Sequence, residues 1–310
     1  MNGLKQYEKY SIHCTSKKKE DKQIYKEFKE KMKKYLVHEG MGLYRIPILS
    51  EDYQYAKKLS LKYAWDWSRE DEMEDFPGVY ITGDETIETD YTKKDYEQAV
   101  AYLVHFWYLA YLYEDIGVDE YEGTCCAQPK WNYATGIVQN TELQIPSAEF
   151  KNRKYAQLMK GYALGKEARD LLLEHELATE EDFQNVTNRK GGIVCYQLMP
   201  KNIIHGFTKD NNMKLVDKCE HCGMERYWYY EEPYYISQDT LNQLVGLNQT
   251  KEQNGGYFDE EIVRKNLENG EDMQTLLEPW YIVNKEVYTL LHKHYPRMQF
   301  IPIFLKEEKK

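Results

Sequence analysis

Two cysteines in one short turn, DKCEHCGMERY from Asp217 to Tyr227, are the residues best placed by type and spacing to do chemistry. With Gly223 behind the second cysteine, a tight turn can aim both sulfurs at one ion while backbone amides point toward them, as in zinc ribbons and knuckles. Cys219 and Cys222 thus offer half of a tetrahedral zinc site. The chain can draw the other two ligands from Cys195, His205, His221 and the adjacent pair Cys125 and Cys126. His221 lies inside the turn with its ring directed away, and neighbouring cysteines rarely share one ion. That leaves Cys195 with either His205 or one of Cys125 and Cys126. A redox role needs the first cysteine at a helix N-terminus, where the dipole lowers its pKa. Here a glycine and aromatic strand residues follow instead. The remaining option is a structural hairpin with two unligated thiols.

Other routes to catalysis are thin. The chain has no Gly-x-Ser-x-Gly elbow, no His-Glu-x-x-His and no phosphate-binding glycine loop. Cys126 or Cys195 paired with His105, His175 or His205 would make a thiol–imidazole site if the fold brought them together. The acidic run REDEMED, with Glu70, Asp71 and Glu72, lacks the glycine and the ligand register of a calcium loop. It reads as a solvated helix face or as a surface that meets a basic partner. Beside the cysteine turn, Trp228, Tyr229, Tyr230 and Tyr234 are candidate partner contacts. Alternate members of that strand would equally face a core, because strand side chains point to opposite faces in turn.

These residues sit in a chain of 310 residues with 42% hydrophobic and 14% aromatic side chains, enough to bury a sizeable core. A net charge of −11 argues against general affinity for nucleic acid or anionic lipid. The charge is uneven, since nine lysines between Lys17 and Lys34 face only four acids there. In the same segment Ile24, Tyr25, Phe28, Met32, Tyr35 and Leu36 recur at helical spacing, so a surface helix with one buried stripe and a solvated basic face is expected. MNGLKQYEKYSIHC has no apolar core of an export signal, and free thiols in a reducing cytoplasm follow. The longest apolar run, AVAYLVHFWYLAYLY from Ala99 to Tyr113, is too short to span a membrane and reads as a buried central helix.

The elements that must position these groups can be read in order. Ser16 is expected to cap the lysine-rich helix, with Gly40 and Gly42 ending it. LYRIPIL reads as a strand, SEDYQYAKKL as a helix behind Ser50, and GVYIT as another strand. Thr92 heads the apolar helix Asp95 to Tyr113. Periodicity fades between Thr124 and Pro146, the expected boundary between an α-rich N-terminal region (1–140) and a C-terminal domain (141–310). A long helix is expected over SAEFKNRKYAQLMKGYALGKEARDLLLEH, interrupted at Gly161 and Gly165. Thr179 and Asp182 resemble a capping box. GIVCYQLMP is a strand, and two strands fold around the cysteine turn. PYYISQDTLNQL and PWYIVNKEVYTLL, 46 residues apart, share a pattern of strand, polar capping residue and helix. The expected fold class is α+β, with a helical, partly stranded N-terminal half, then a long helix and a small mixed or antiparallel sheet.

The C-terminal order of GIVCYQLMP, the DKCEHCG turn, YYISQDTL and PWYIVNKEVYTLL running into FIPIFL resembles immunity proteins of bacterial polymorphic toxin systems. The resemblance spans Gly192 to Leu305, and this chain departs from the metal-bearing members in having one cysteine pair instead of two. It implies a cytoplasmic protein that binds and neutralises a cognate toxin and has no catalysis of its own. The alternative is an enzyme using a Cys/His or metal site.

Overall fold

The computed structural model describes residues 4–15, 17–39, 42–63, 78–106, 110, 133–134, 143–158, 161–208, 214–218, 225–228, 232–255 and 275–306. The chain divides into two compact units, Met1–Lys93 with Tyr230–Glu232, and Lys94–Tyr229 with Pro233–Lys310.

The first unit runs β1 (Lys5–Cys14), α1 (Lys19–Met32), β2 (Leu36–His38), β3 (Leu43–Pro47), α2 (Glu51–Lys62) and β4 (Val79–Asp90). Its sheet has the order β2-β3-β1-β4 with every pair antiparallel. This is the split β-α-β topology known as ferredoxin-like. Side-chain alternation explains it: Tyr10 and Ile12, Tyr44 and Ile46, and Val79 and Ile81 turn to one face. Phe28 and Met32 of α1 and Tyr53 and Ala56 of α2 cover that face. Ser50 caps α2 as expected, accepting from the Tyr53 N–H at 3.1 Å. The lysine-rich helix starts after Lys18, with no side-chain cap, and Ser16 lies outside the described residues. It ends earlier than the glycines, passing through a 3-10 turn at Lys33–Tyr35 into β2. Gly42 instead serves the β2–β3 turn, with φ +56° and room for no Cβ, which would lie 2.9 Å from the Ile12 carbonyl oxygen.

The chain continues with α3 (Lys93–Gln98), β5 (Ala101–Val104), β6 (Tyr133–Ala134), β7 (Tyr155–Gln157), β8 (Tyr162–Leu164), α4 (Lys166–Glu174), β9 (Phe183–Thr187), β10 (Ile193–Leu198) and β11 (Asn202–Ile204). Then come β12 (Lys214–Lys218), β13 (Glu225–Trp228), β14 (Tyr234–Ile236), α5 (Gln238–Gln243), β15 (Leu247–Gly255), β16 (Thr275–Asn284), α6 (Lys285–His294) and β17 (Phe300–Leu305). One sheet is antiparallel, in the order β7-β8-β10-β9. The other has nine strands, β12-β13-β15-β16-β5-β17-β14, with β11 on β15 and β6 on β16.

The α+β expectation of a helical N-terminal half followed by a long helix is therefore corrected. Among the described residues the protein is mostly sheet, with three sheets and six helices of at most fourteen residues. Within the apolar stretch expected to be a central helix, Ala101–Val104 form strand β5, all four residues buried between β16 and β17, while 107–109 and 111–113 lie outside the described residues. A strand buried on both faces shows a continuous apolar run, which periodicity cannot tell from a buried helix. The long helix after Pro146 is instead a 3-10 turn (Ser147–Phe150), the β7–β8 hairpin and α4. Gly161 turns that hairpin with φ +70°, and extended Gly165 starts α4. No helix among the described residues is long and apolar enough to cross a membrane. Residues 135–142, around the expected domain boundary, lie outside the described residues.

Candidate functional site

His205 stands at a fault in the nine-stranded sheet. Strand β15 bulges between Gln249 and Gln253, whose three intervening residues oppose the single residue Trp280 on β16. Pro279 has no N–H to give the ladder, and bulges are where strands accommodate such a residue. The Trp280 N–H donates to the Thr250 hydroxyl oxygen at 2.9 Å, and the hydroxyl donates to the Glu252 carbonyl at 2.7 Å. A bulge re-aims the side chain it carries. Here the side chain is Glu252, which is 6% exposed.

Its carboxylate is held by two partners. One oxygen accepts from the Gly206 N–H at 2.9 Å, and the other lies 3.2 Å from Nδ1 of His205. Gly206 is required by the close approach, since a Cβ there would come within 2.3 Å of the Thr250 methyl. From the other side the Thr240 hydroxyl donates to the His205 carbonyl at 2.9 Å. The His205 side chain is 72% exposed while its carboxylate partner is buried. A carboxylate on Nδ1 fixes the tautomer and presents Nε2 outward as an acceptor, the geometry of an oriented base or metal ligand.

The other sequence-designated residues are dispersed. Cys195 lies on β10 in the four-stranded sheet and is fully buried with Leu143, Val186 and Phe150. Burial pushes its thiol well above the ordinary range, which disfavours the thiolate that a metal or a nucleophile needs. His205 follows β11 in the other sheet, so Cys195 and His205 belong to different sheets. Cys219, Cys222, Tyr229, Tyr230, Glu70, Asp71 and Glu72 lie outside the described residues. Trp228 ends β13, with its backbone opposite Lys214. Tyr234 is 7% exposed with its ring 5.2 Å from that of Phe207, a core position. No group of three or more metal-ligating side chains occurs among the described residues.

Sequence reasoning named His205 but missed Glu252, 47 residues away. The pairing of β11 with β15, which sets Ile204 opposite Thr250, brings them together.

A second constellation lies on the four-stranded sheet. The Arg169 guanidinium stands 4.4 Å over the Tyr196 ring, donates to Asp170 at 2.9 Å and pairs with Glu180. It lines an open cleft of about 500 Å³ with Glu181, Gln184, Asn185 and Lys201. Nearby, the capping box read from the sequence is present: the Asp182 carboxylate accepts from the Thr179 N–H at 2.8 Å and from the Lys201 N–H at 2.9 Å.

No protein-family model, no curated protein and no solved structure matches this chain.

Proposed function

We propose that the protein acts by protein–protein contact, with its acidic C-terminal unit meeting a basic partner, in the manner of the immunity proteins that Gly192 to Leu305 resembles. The observation that carries this reading is the charge of residues 166–182. Seven carboxylates stand there against Lys166 and Arg169. Glu174, Glu176 and Glu181 are exposed and have no ion pair among the described residues. Such a surface speeds encounter with a basic protein and falls off with salt. The test is to isolate the tagged protein with its co-purifying partner and follow association by stopped flow. The rate should drop severalfold between low and physiological salt, and again in E174Q/E176Q/E181Q. A rate indifferent to both would refute the reading.

A second reading, a zinc site at the cysteine turn, is favoured by the register of β15. Strands β11 and β13 lie end to end along the same edge, with Ile204 opposite Thr250 and Arg226 opposite Gln253. Strand β13, which follows the cysteine turn in sequence, therefore begins along β15 just past the position that Ile204 pairs with. Cys219, Cys222 and His205 would be ligands, with Glu252 holding the imidazole. Purified protein should carry about one equivalent of zinc, lost in both Cys219→Ser and His205→Ala. Retention of the metal in His205→Ala removes the imidazole from the site.

A further inference from the structure

Lys19, Lys22, Lys26, Lys29 and Lys33 follow one another at steps of three and four residues along α1 and into the 3-10 turn after it. At 3.6 residues per turn they fall within an arc of about 80° and span roughly 21 Å. The apolar stripe of the same helix lies elsewhere: Phe28 and Met32 are fully buried, and Ile24 and Tyr25 pack against the same core. Lys19, Lys22, Lys26 and Lys33 are exposed and make no ion pair among the described residues. The ion pairs of this region lie outside the row, where Lys31 and Lys34 reach Asp52 at 3.9 and 2.9 Å. Lys29 is the one member with a local role, its ammonium 5.1 Å above the Tyr25 ring.

Each adjacent pair in this row sets like charges at helical neighbour spacing, which destabilises a helix, whereas interspersed glutamates would stabilise it. Of the acids, Glu20 and Glu27 sit on the next flank, and Glu30 alone stands at neighbour spacing from members of the row, Lys26 and Lys33. A cost that one glutamate offsets only at the end of the row points to a use outside the fold.

The geometry points to a site for the backbone of a single-stranded nucleic acid, with successive ammonium groups neutralising successive phosphates. A single file of point charges about 5 Å apart matches a linear polyanion better than the two-dimensional patch of a folded acidic protein. A lipid surface fits worse, because a helix lying in it needs a free apolar face, and that of α1 is spent on the core. With −11 on the whole chain the site is local and reads phosphate, not sequence. This inference does not depend on the acidic-surface reading.

The test uses the full chain and a fluorescein-labelled 20-nucleotide oligouridine, read by anisotropy. Neutralising five phosphates on a single strand gives a slope of log K against log salt near −3.5, so affinity should fall about a hundredfold between 50 and 200 mM salt. In K19Q/K22Q/K26Q/K29Q/K33Q, binding at 50 mM should weaken at least tenfold and the slope should flatten. The circular dichroism melt of that variant should be unchanged or higher, because like-charge repulsion is relieved. K58Q/K62Q on α2 removes exposed charge elsewhere in the same unit and should leave the slope intact. Unchanged binding in the fivefold variant overturns the proposal, as does no binding by the parent protein. Equal or tighter binding to phosphatidylserine vesicles or to polyglutamate also overturns it, since the occupant is then not nucleic acid.

Discussion

The two compact units spend their charged residues in opposite ways. The N-terminal unit is a regular sheet with two helices on one face, and it holds 17 basic against 20 acidic residues. Its cations gather on α1. The C-terminal unit carries 24 basic against 32 acidic residues, and its oriented histidine–carboxylate pair sits where the sheet is irregular, at the β15 bulge. The first unit closes its sheet within one stretch of chain, pairing β2 with β3 and β1 with both β3 and β4. The second sets β5 between β16 and β17, nearly two hundred positions later in the chain. Regular local structure therefore displays a surface, and long-range pairing builds a site from distant residues.

The sharpest way to break this comparison is to damage one core. Phe28 is fully buried and meets the Tyr44 ring edge-on at 5.4 Å. Phe28→Ala should cost about 3–5 kcal/mol, the range for a truncated buried aromatic. Hydrogen exchange should then quicken in β1, β3 and β4. Equal loss of protection in β16 and β17 would mean that the two cores unfold together.

A smaller effect probes the bulge. Gly206→Ala puts a Cβ against the Thr250 methyl, an overpacking cost of about 1–3 kcal/mol. Thr250→Ser removes that methyl and keeps the hydroxyl that serves Trp280 and Glu252. The double variant should recover much of the loss, a coupling that a denaturant melt resolves. Additive losses would say that Gly206 is needed for its backbone alone.

The comparison extends to a partly buried glutamate in the other unit. Glu232 accepts from the Thr89 N–H at 2.9 Å. Burial pushes its carboxyl up to about 7, Glu88 adds to this, and the Thr89 and Tyr91 hydrogen bonds oppose it. Below pH 4 the group is protonated in both folded and unfolded chains and has no effect on stability. Between its ordinary value and 7 only the unfolded chain ionises, so stability falls as pH rises, and the full penalty is present above 7. Glu232→Gln should therefore stabilise by on the order of 1–2 kcal/mol at pH 8 and by almost nothing at pH 4. A gain that is equal at the two pH values would place the effect in packing and not in ionisation.

What was legible in the sequence follows the same division. In the first unit, Ser50, LYRIP and GVYIT announce α2, β3 and β4, because each is governed by neighbours in the chain. β1 was not read, because its buried row of Glu8, Tyr10 and Ile12 begins with an acid and leaves only two apolar members to show the alternation. In the second unit, Tyr102 and Leu103 read as helix because an apolar run has no period to reveal a strand. Their partners Val283 and Ile282 are too remote to be inferred. The β12–β13 hairpin around the cysteine turn was legible, since Lys218 pairs with Glu225 across it. Of the bulge site, His205 was visible as a residue type and Glu252 was not, because a register shift carries no local signature.

The finest comparison is among three joints of one design. The two segments 46 residues apart do form strand, cap and helix: Ser237 accepts from the Thr240 N–H at 3.0 Å, and Asn284 from the Val287 N–H at 2.9 Å. A third joint, β8 to α4, has the same backbone at Gly165, with φ −69° and ψ 163° beside −77° and 165° at Ser237 and −74° and 174° at Asn284. Gly165 has no side chain to offer. Ser237→Ala and Asn284→Ala should each cost about 1 kcal/mol, the usual worth of a cap. Gly165→Ser should gain a few tenths of a kcal/mol, since serine caps slightly better than glycine and is the stiffer residue in the unfolded chain. The new Cβ would sit 3.4 Å from the Lys154 Cα, an ordinary contact, so little is lost against the gain. If Gly165→Ser destabilises instead, then the close passage of Lys154, and not the missing cap, explains why glycine stands in the third joint.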